Sequence, residues 1–208
     1  MTITEQTIDV SDLPPHVEDH RSPIWWGNLL LLCIETTMFG LLVATYFYLR
    51  MNFTAWPPVR SATGLYQTNP DLGFATANLI VLLVSVVPMA IIDRSCLRHN
   101  LRVVQIGMTV MVVLGLVTIT LRFYEFSGLK FRWDENAYAA IVWTTLGMHL
   151  LHLITGTAEN FIMMLWAWAR GLDTKHERDV RVGAVYWYWI AGIWIPLYAI
   201  IYFGPRIL

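Results

Sequence analysis

Charge is scarce in this chain of 208 residues: 14% of its residues are charged, against about 25% in a soluble domain. The net charge of −1 leaves no basic field for nucleic acid. Cysteine is nearly absent. Cys33 lies in an apolar run and Cys96 in an Arg-rich junction, which excludes a disulfide framework and a CxxC metal pair. No Walker-type loop, GxSxG elbow, zinc spacing or dinucleotide fingerprint occurs. The first 23 residues lack the basic start and short apolar core of a cleavable signal. They carry five acids and the pair Pro14–Pro15, and are expected to form a flexible or surface-lying polar tail.

What fills the composition instead is apolar: 56% of residues are hydrophobic, with ten Trp and nine Tyr to mark membrane interfaces. A membrane-spanning helix needs about 20 mostly apolar residues. Five runs meet that length, at about 24–49, 74–92, 103–123, 138–168 and 182–203. The expected fold is therefore an all-α integral membrane bundle of five transmembrane helices, with residues 1–23 as a tail and 24–208 as the helical domain. The fourth run exceeds a bilayer's needs, so it should tilt or project. Pro88 and Pro196 fall inside runs, where neighbouring helices can compensate for the lost hydrogen bond.

Lys and Arg are distributed unequally between the two sides. Eight lie on the side of the tail and the second and fourth loops, and six on the other. The positive-inside rule then puts the N-terminus in the cytoplasm and the C-terminus outside. No internal repeat of the kind common in transporters is visible.

Glu35 is the chemical anomaly. It interrupts IWWGNLLLLCIETTMFGLLVATYFYL, otherwise uncharged from Ile24 to Leu49. A charge at mid-membrane costs about 2.5–3.5 kcal/mol on insertion scales. Such an acid is neutral, paired, or facing protein or lipid headgroups. In the fourth run, His149 and His152 occur in GMHLLHLITG, three apart and on nearly one helix face. They suit packing and hydrogen bonding across helices, or a b-type haem, although haem ligation across a bundle normally draws on two helices. Glu159 follows two turns later and is expected at an interface, paired with a basic group or reaching water. Glu125, with Arg122 one turn before it, suits a simple ion pair near the outer surface. Most of Trp25, Trp26, Trp56, Trp187, Trp189 and Trp194 suit interfacial anchoring. Gly107, Gly115, Gly147, Gly156 and Gly171 suit close helix contact.

Taken in order, these motifs resemble subunit III of the haem–copper terminal oxidases. WWG, then Glu35, then MFG and ATYFYL are similar to that family's first shared helix, and Trp56-Pro57-Pro58 to the WPP that follows it. Tyr124-Glu125 resembles the family's ending of the next-but-one helix. GMHLLHLITG resembles GFHGLHVIIG, with His149, His152 and Gly156 aligned. VYWYWIAGIW resembles WYWHFVDVVW. The likeness runs from about Trp25 to Phe203 and corresponds to the family's five-span form. It departs at Tyr188 (family His), Ala191 (Asp), Arg181 (Glu), Arg122 (often Gln) and Glu159 (apolar).

The resemblance implies an accessory subunit with no catalytic, cofactor or metal site of its own. Haem and copper would reside in the partners: the large catalytic subunit I, where oxygen is reduced to water with proton pumping, and also subunit II. The chain would bind phospholipid and support proton uptake in a bacterial plasma membrane. Glu35 would lie at a subunit or lipid contact, and His149, His152, Glu125, Trp25 and Trp26 would serve helix packing or lipid contact. The alternatives are a b-type haem-binding membrane anchor, or a relative serving a quinol oxidase or a nitric oxide reductase complex.

Overall fold

The computed structural model describes residues 22–58 and 69–207. Most of the expected tail and the middle of the first loop, Arg60 included, lie outside them. Pro23 is already helical, in the first-turn position where a missing N–H costs nothing.

Five long helices form: α1 (Pro23–Met51), α2 (Gly73–Cys96), α3 (Leu101–Ser127), α4 (Ala137–Arg170) and α5 (Thr174–Tyr198). A π-helical turn (Ala199–Phe203) and a short helix α6 (Gly204–Ile207) continue α5. Each long helix lies in a segment apolar enough to cross a membrane. No strand occurs among the described residues. The helices outrun the apolar runs because polar loop residues cap them. Asn100 accepts from the Val103 N–H, Asn136 from Ala139 and Asp173 from His176, each satisfying a donor that the first turn leaves open. At the last of these caps, the His176 backbone N–H, followed by its ring, holds the Asp173 carboxyl below the usual carboxylate range. At the other end of that turn Gly171 ends α4 at φ +75°, a backbone conformation that favours glycine. The 34 residues of α4 make it roughly 50 Å long, well beyond a hydrocarbon core of about 30 Å.

Helices α2 and α3 form an antiparallel pair; α4 packs on α3, and α5 closes against both α2 and α4. Glycines set the closeness of this group, Gly107 against Ile92 of α2 among them. A Cβ at Gly115 would stand 2.7 Å from Thr157 Cγ2, and one at Gly156 would stand 2.8 Å from Ile190 Cδ1. Gly147, by contrast, faces open space, so its expected packing role does not hold.

Helix α1 stands apart. It leans on α4 and α5 through one stripe, Leu32, Phe39 and Tyr46, spaced by seven residues. Its apolar window is 17% buried, against 50% for α4. Trp26, Leu30, Ile34, Leu41 and Tyr48 face outward.

Candidate functional site

The chemistry-bearing residues gather along the face of α4 that looks into the bundle. His149 and His152 share this face because they are three residues apart. Both are buried, but they serve different neighbours.

His152 meets α1. Its Nδ1 lies 2.6 Å from the Met148 carbonyl, which can only accept, so Nδ1 carries a proton. Its Nε2 lies 3.0 Å from Glu35 Oε2. With Nδ1–H fixed, two arrangements satisfy that contact: a neutral carboxyl donating to a neutral imidazole, or a carboxylate facing an imidazolium. Both hold one proton between the two groups and leave the pair with zero net charge. Glu35 therefore has a partner within its own chain, which is how an acid in an apolar helix avoids standing bare. Thr36, beside Glu35, accepts a hydrogen bond from Trp189 Nε1 at 2.8 Å, joining α1 to α5.

His149 meets α3 and α5. Arg122 Nη2 donates to its Nδ1 at 3.0 Å, and its Nε2–H donates to the Ile190 carbonyl at 3.1 Å. The imidazole stacks on Trp194 with ring centroids 4.5 Å apart, and the guanidinium of Arg122 lies over that indole, 3.8 Å from its centroid. Arg122 Nη1 donates to both carboxylate oxygens of Glu125 at 2.8 Å, and the Tyr202 hydroxyl donates to Glu125 Oε1.

This second network extends the sequence reading of Arg122 and Glu125: the expected ion pair forms and, at 0% and 3% exposed, it is buried within the bundle. The helix expected to end at Phe123 continues to Ser127, which carries Glu125 one turn past Arg122 on the same inward face. Tyr202 and Trp194 were not singled out as partners by the sequence. The available signal was an arginine and an acid at helical spacing beside a span, with polar-tipped aromatics in the last helix.

The two networks are separate. Phe39 of α1, 1% exposed, lies between them with ring centroids 5.3 Å from His152 and 6.5 Å from His149. All four imidazole nitrogens are engaged, so neither histidine offers an axial ligand to haem iron without breaking a hydrogen bond. Among the described residues, no group of three or more His, Cys, Asp or Glu is placed to hold a metal ion.

Other expectations are revised. Trp56, Trp187 and Trp194 are buried in the core rather than interfacial, and only Trp26 of the quoted set is largely exposed. Trp56 Nε1 donates to the Tyr46 hydroxyl and Trp187 Nε1 to Ser85 Oγ. Glu159 has no basic partner among the described residues; its carboxyl lies against Gly183, where a Cβ would stand 2.8 Å from Oε1. Ala191 is buried and Tyr188 half-buried in α5. Arg181, on the same helix, donates from Nε to Asp93 at 3.1 Å and ties α5 to the end of α2. His99 and Glu177 make a second such tie.

Comparison with known proteins gives one consistent result. The family described as "Cytochrome c oxidase subunit III" matches residues 7–205. "Cytochrome c oxidase subunit 3" of Thermostichus vulcanus is 25% identical over 193 residues, covering 92% of each chain. The protein of the same name from Oryctolagus cuniculus is 24% identical over 195 residues, 89% of this chain and 73% of that one. That of Rattus norvegicus is 25% identical over 195 residues with the same coverage.

Proposed function

The chain belongs to the cytochrome c oxidase subunit III family, and we propose that within such an oxidase it acts as the accessory, non-redox subunit. As subunit III of a haem–copper oxidase it is a membrane protein that works in complex with other oxidase subunits. The finer assignments are these. The large catalytic subunit I and subunit II are its neighbours and hold the haem and copper. The outward face of α1 meets a partner subunit or bound phospholipid, with Trp25 and Trp26 at its edge. The membrane is a bacterial plasma membrane, with the N-terminus cytoplasmic. Burial of Arg122 supports that orientation: it removes one of the six positive charges on the opposite side and widens the asymmetry.

The observation that carries the non-redox reading is the engagement of every imidazole nitrogen in α4. An axial histidine needs a free nitrogen. Here one ring is held by Arg122 and Ile190 and the other by Met148 and Glu35. The Glu35–His152 pair supports a part in sustaining proton uptake by the neighbouring catalytic subunit, since it stores one proton within α1's contact with α4. A reduced-minus-oxidised spectrum of the purified chain tests the reading. No haem α-band is expected. A band that disappears in His149→Ala would overturn it in favour of a b-type haem anchor.

A further inference from the structure

Four fully buried side chains have polar atoms without a hydrogen-bond partner among the described residues: Asn78 Nδ2 and Oδ1 in α2, Arg122 Nε in α3, Tyr138 Oη in α4 and Trp194 Nε1 in α5. Of these, Asn78, Arg122 and Trp194 belong together. Bonds on either side bring them to one level of the bundle. Along the α2–α5 seam, Trp187 Nε1 donates to Ser85 Oγ at 2.9 Å, and the Thr76 and Tyr198 hydroxyls are 2.6 Å apart. Asn78 and Trp194 lie between these two ties. Each is seven residues from Ser85 and Trp187 respectively, two turns along the same helix face. Along the α2–α3 seam, Phe74 stacks on Tyr124 at 5.4 Å while Ile92 abuts Gly107. That antiparallel register sets Arg122 beside the turn that carries Asn78. Arg122 in turn lies over the Trp194 ring, 3.8 Å from its centroid.

The chemistry required at this junction is narrow. Arg122 Nε–H and Trp194 Nε1–H only donate; the Asn78 carboxamide both donates and accepts. A ligand there must accept from the first two and can donate to the Asn78 carboxamide oxygen. An anion is disfavoured because Glu125 already balances the charge of Arg122. An apolar group would leave every one of these atoms bare. We propose that this α2–α3–α5 junction is a binding site for structural water, held by Asn78, Arg122 Nε and Trp194 Nε1. Buried waters typically make about three hydrogen bonds to groups otherwise unsatisfied. The water completes the hydrogen bonding of the Arg122 guanidinium, whose other two nitrogens bond to Glu125 and His149. The Glu35–His152 pair needs no such ligand, because both nitrogens of its imidazole are already bonded.

A high-resolution electron cryo-microscopy map of the assembled oxidase tests this. The expected result is a density peak within hydrogen-bonding distance of both Arg122 Nε and the Asn78 amide. The site is overturned if no peak is present and Asn78 instead bonds directly to the Trp194 indole or to main chain. Asn78→Val, which removes the amide with a modest change in volume, gives an independent sign. Loss of a water ligand should lower the melting temperature of the complex, by about 2–4 °C. A raised or unchanged melting temperature would mean that Asn78 was a dry, unsatisfied amide, and would equally overturn the site.

Discussion

A carboxylate inside a membrane helix needs a partner, and this chain supplies one for each of two acids in different ways. Glu35 shares a single proton with His152, so its environment is neutral overall. Glu125 is held as a charge by Arg122, with Tyr202 bonding the same carboxylate. The consequences of substitution differ accordingly. Glu35→Gln keeps a side-chain amide that can donate to His152 Nε2, and assembly should remain largely intact. The infrared spectrum of the complex should lose one Glu35 band, that of a protonated carboxyl in the neutral form or that of a carboxylate in the carboxylate–imidazolium form. Loss of the complex on this substitution would contradict the neutral-pair account. Arg122→Met should be far more damaging, because it leaves Glu125 buried and unpaired, at a cost of about 3–5 kcal/mol. The double variant Arg122→Met with Glu125→Leu removes both charges and should recover most of that loss. Thermal denaturation of the complex measures both. A double variant no better than the single one would mean that the ion pair itself, rather than the stranded charge, sets the cost.

At the level of elements, the five helices were legible from the length of the apolar runs alone, because nothing else keeps 20 residues dry. Their ends were less so. The runs at 103–123 and 182–203 stop where polar residues begin, yet helix α3 continues to Ser127 and α5 begins at Thr174. Hydropathy measures where lipid is tolerated, whereas Asn100, Asn136 and Asp173 cap helices whatever surrounds them. That difference hid the start of α5; the continuation of α3 to Ser127, which keeps Glu125 on the inward face, has no such side-chain cap to announce it. The inward faces were also only partly readable. Gly115 and Gly156 were expected at close contacts and are there; Gly147, on the same helix as Gly156, faces nothing. Which side of a helix all round apolar turns inward depends on its neighbours, and hydropathy periodicity says little when lipid and core are equally apolar. Gly115→Val tests the α3–α4 contact directly. The added branch meets Thr157, itself β-branched and stiff on its helix, and should destabilise the bundle by about 1–3 kcal/mol. Thermal stability no different from that of the unsubstituted chain would show that the two helices can part without cost.

Across the whole molecule, burial is lopsided. Helices α2 to α5 close around one another, while α1 contributes a stripe of three residues at seven-residue spacing and leaves most of its apolar surface outward. Glu35 and the stripe residue Phe39 stand where that loosely held helix meets α4. This arrangement fits an accessory subunit: Glu35 and Glu125 find partners within the chain, His149 and His152 are spent on holding helices together, and its largest free surface is apolar. The resemblance in the sequence pointed to the same family as the comparisons, through WWG, Glu35, WPP and GMHLLHLITG. What the sequence could not display was that His149 and His152 belong to two networks divided by Phe39, since α1 and α3 reach them from opposite sides only after folding. The central claim is that this chain works as the non-redox subunit of a haem–copper oxidase. Its most direct test is affinity purification of the tagged chain from membranes in mild detergent, followed by haem and copper analysis. The account predicts recovery of a large haem- and copper-containing partner, with no haem left on the tagged chain once the two are separated. Recovery of the tagged chain alone, or of haem bound to it, would contradict the account.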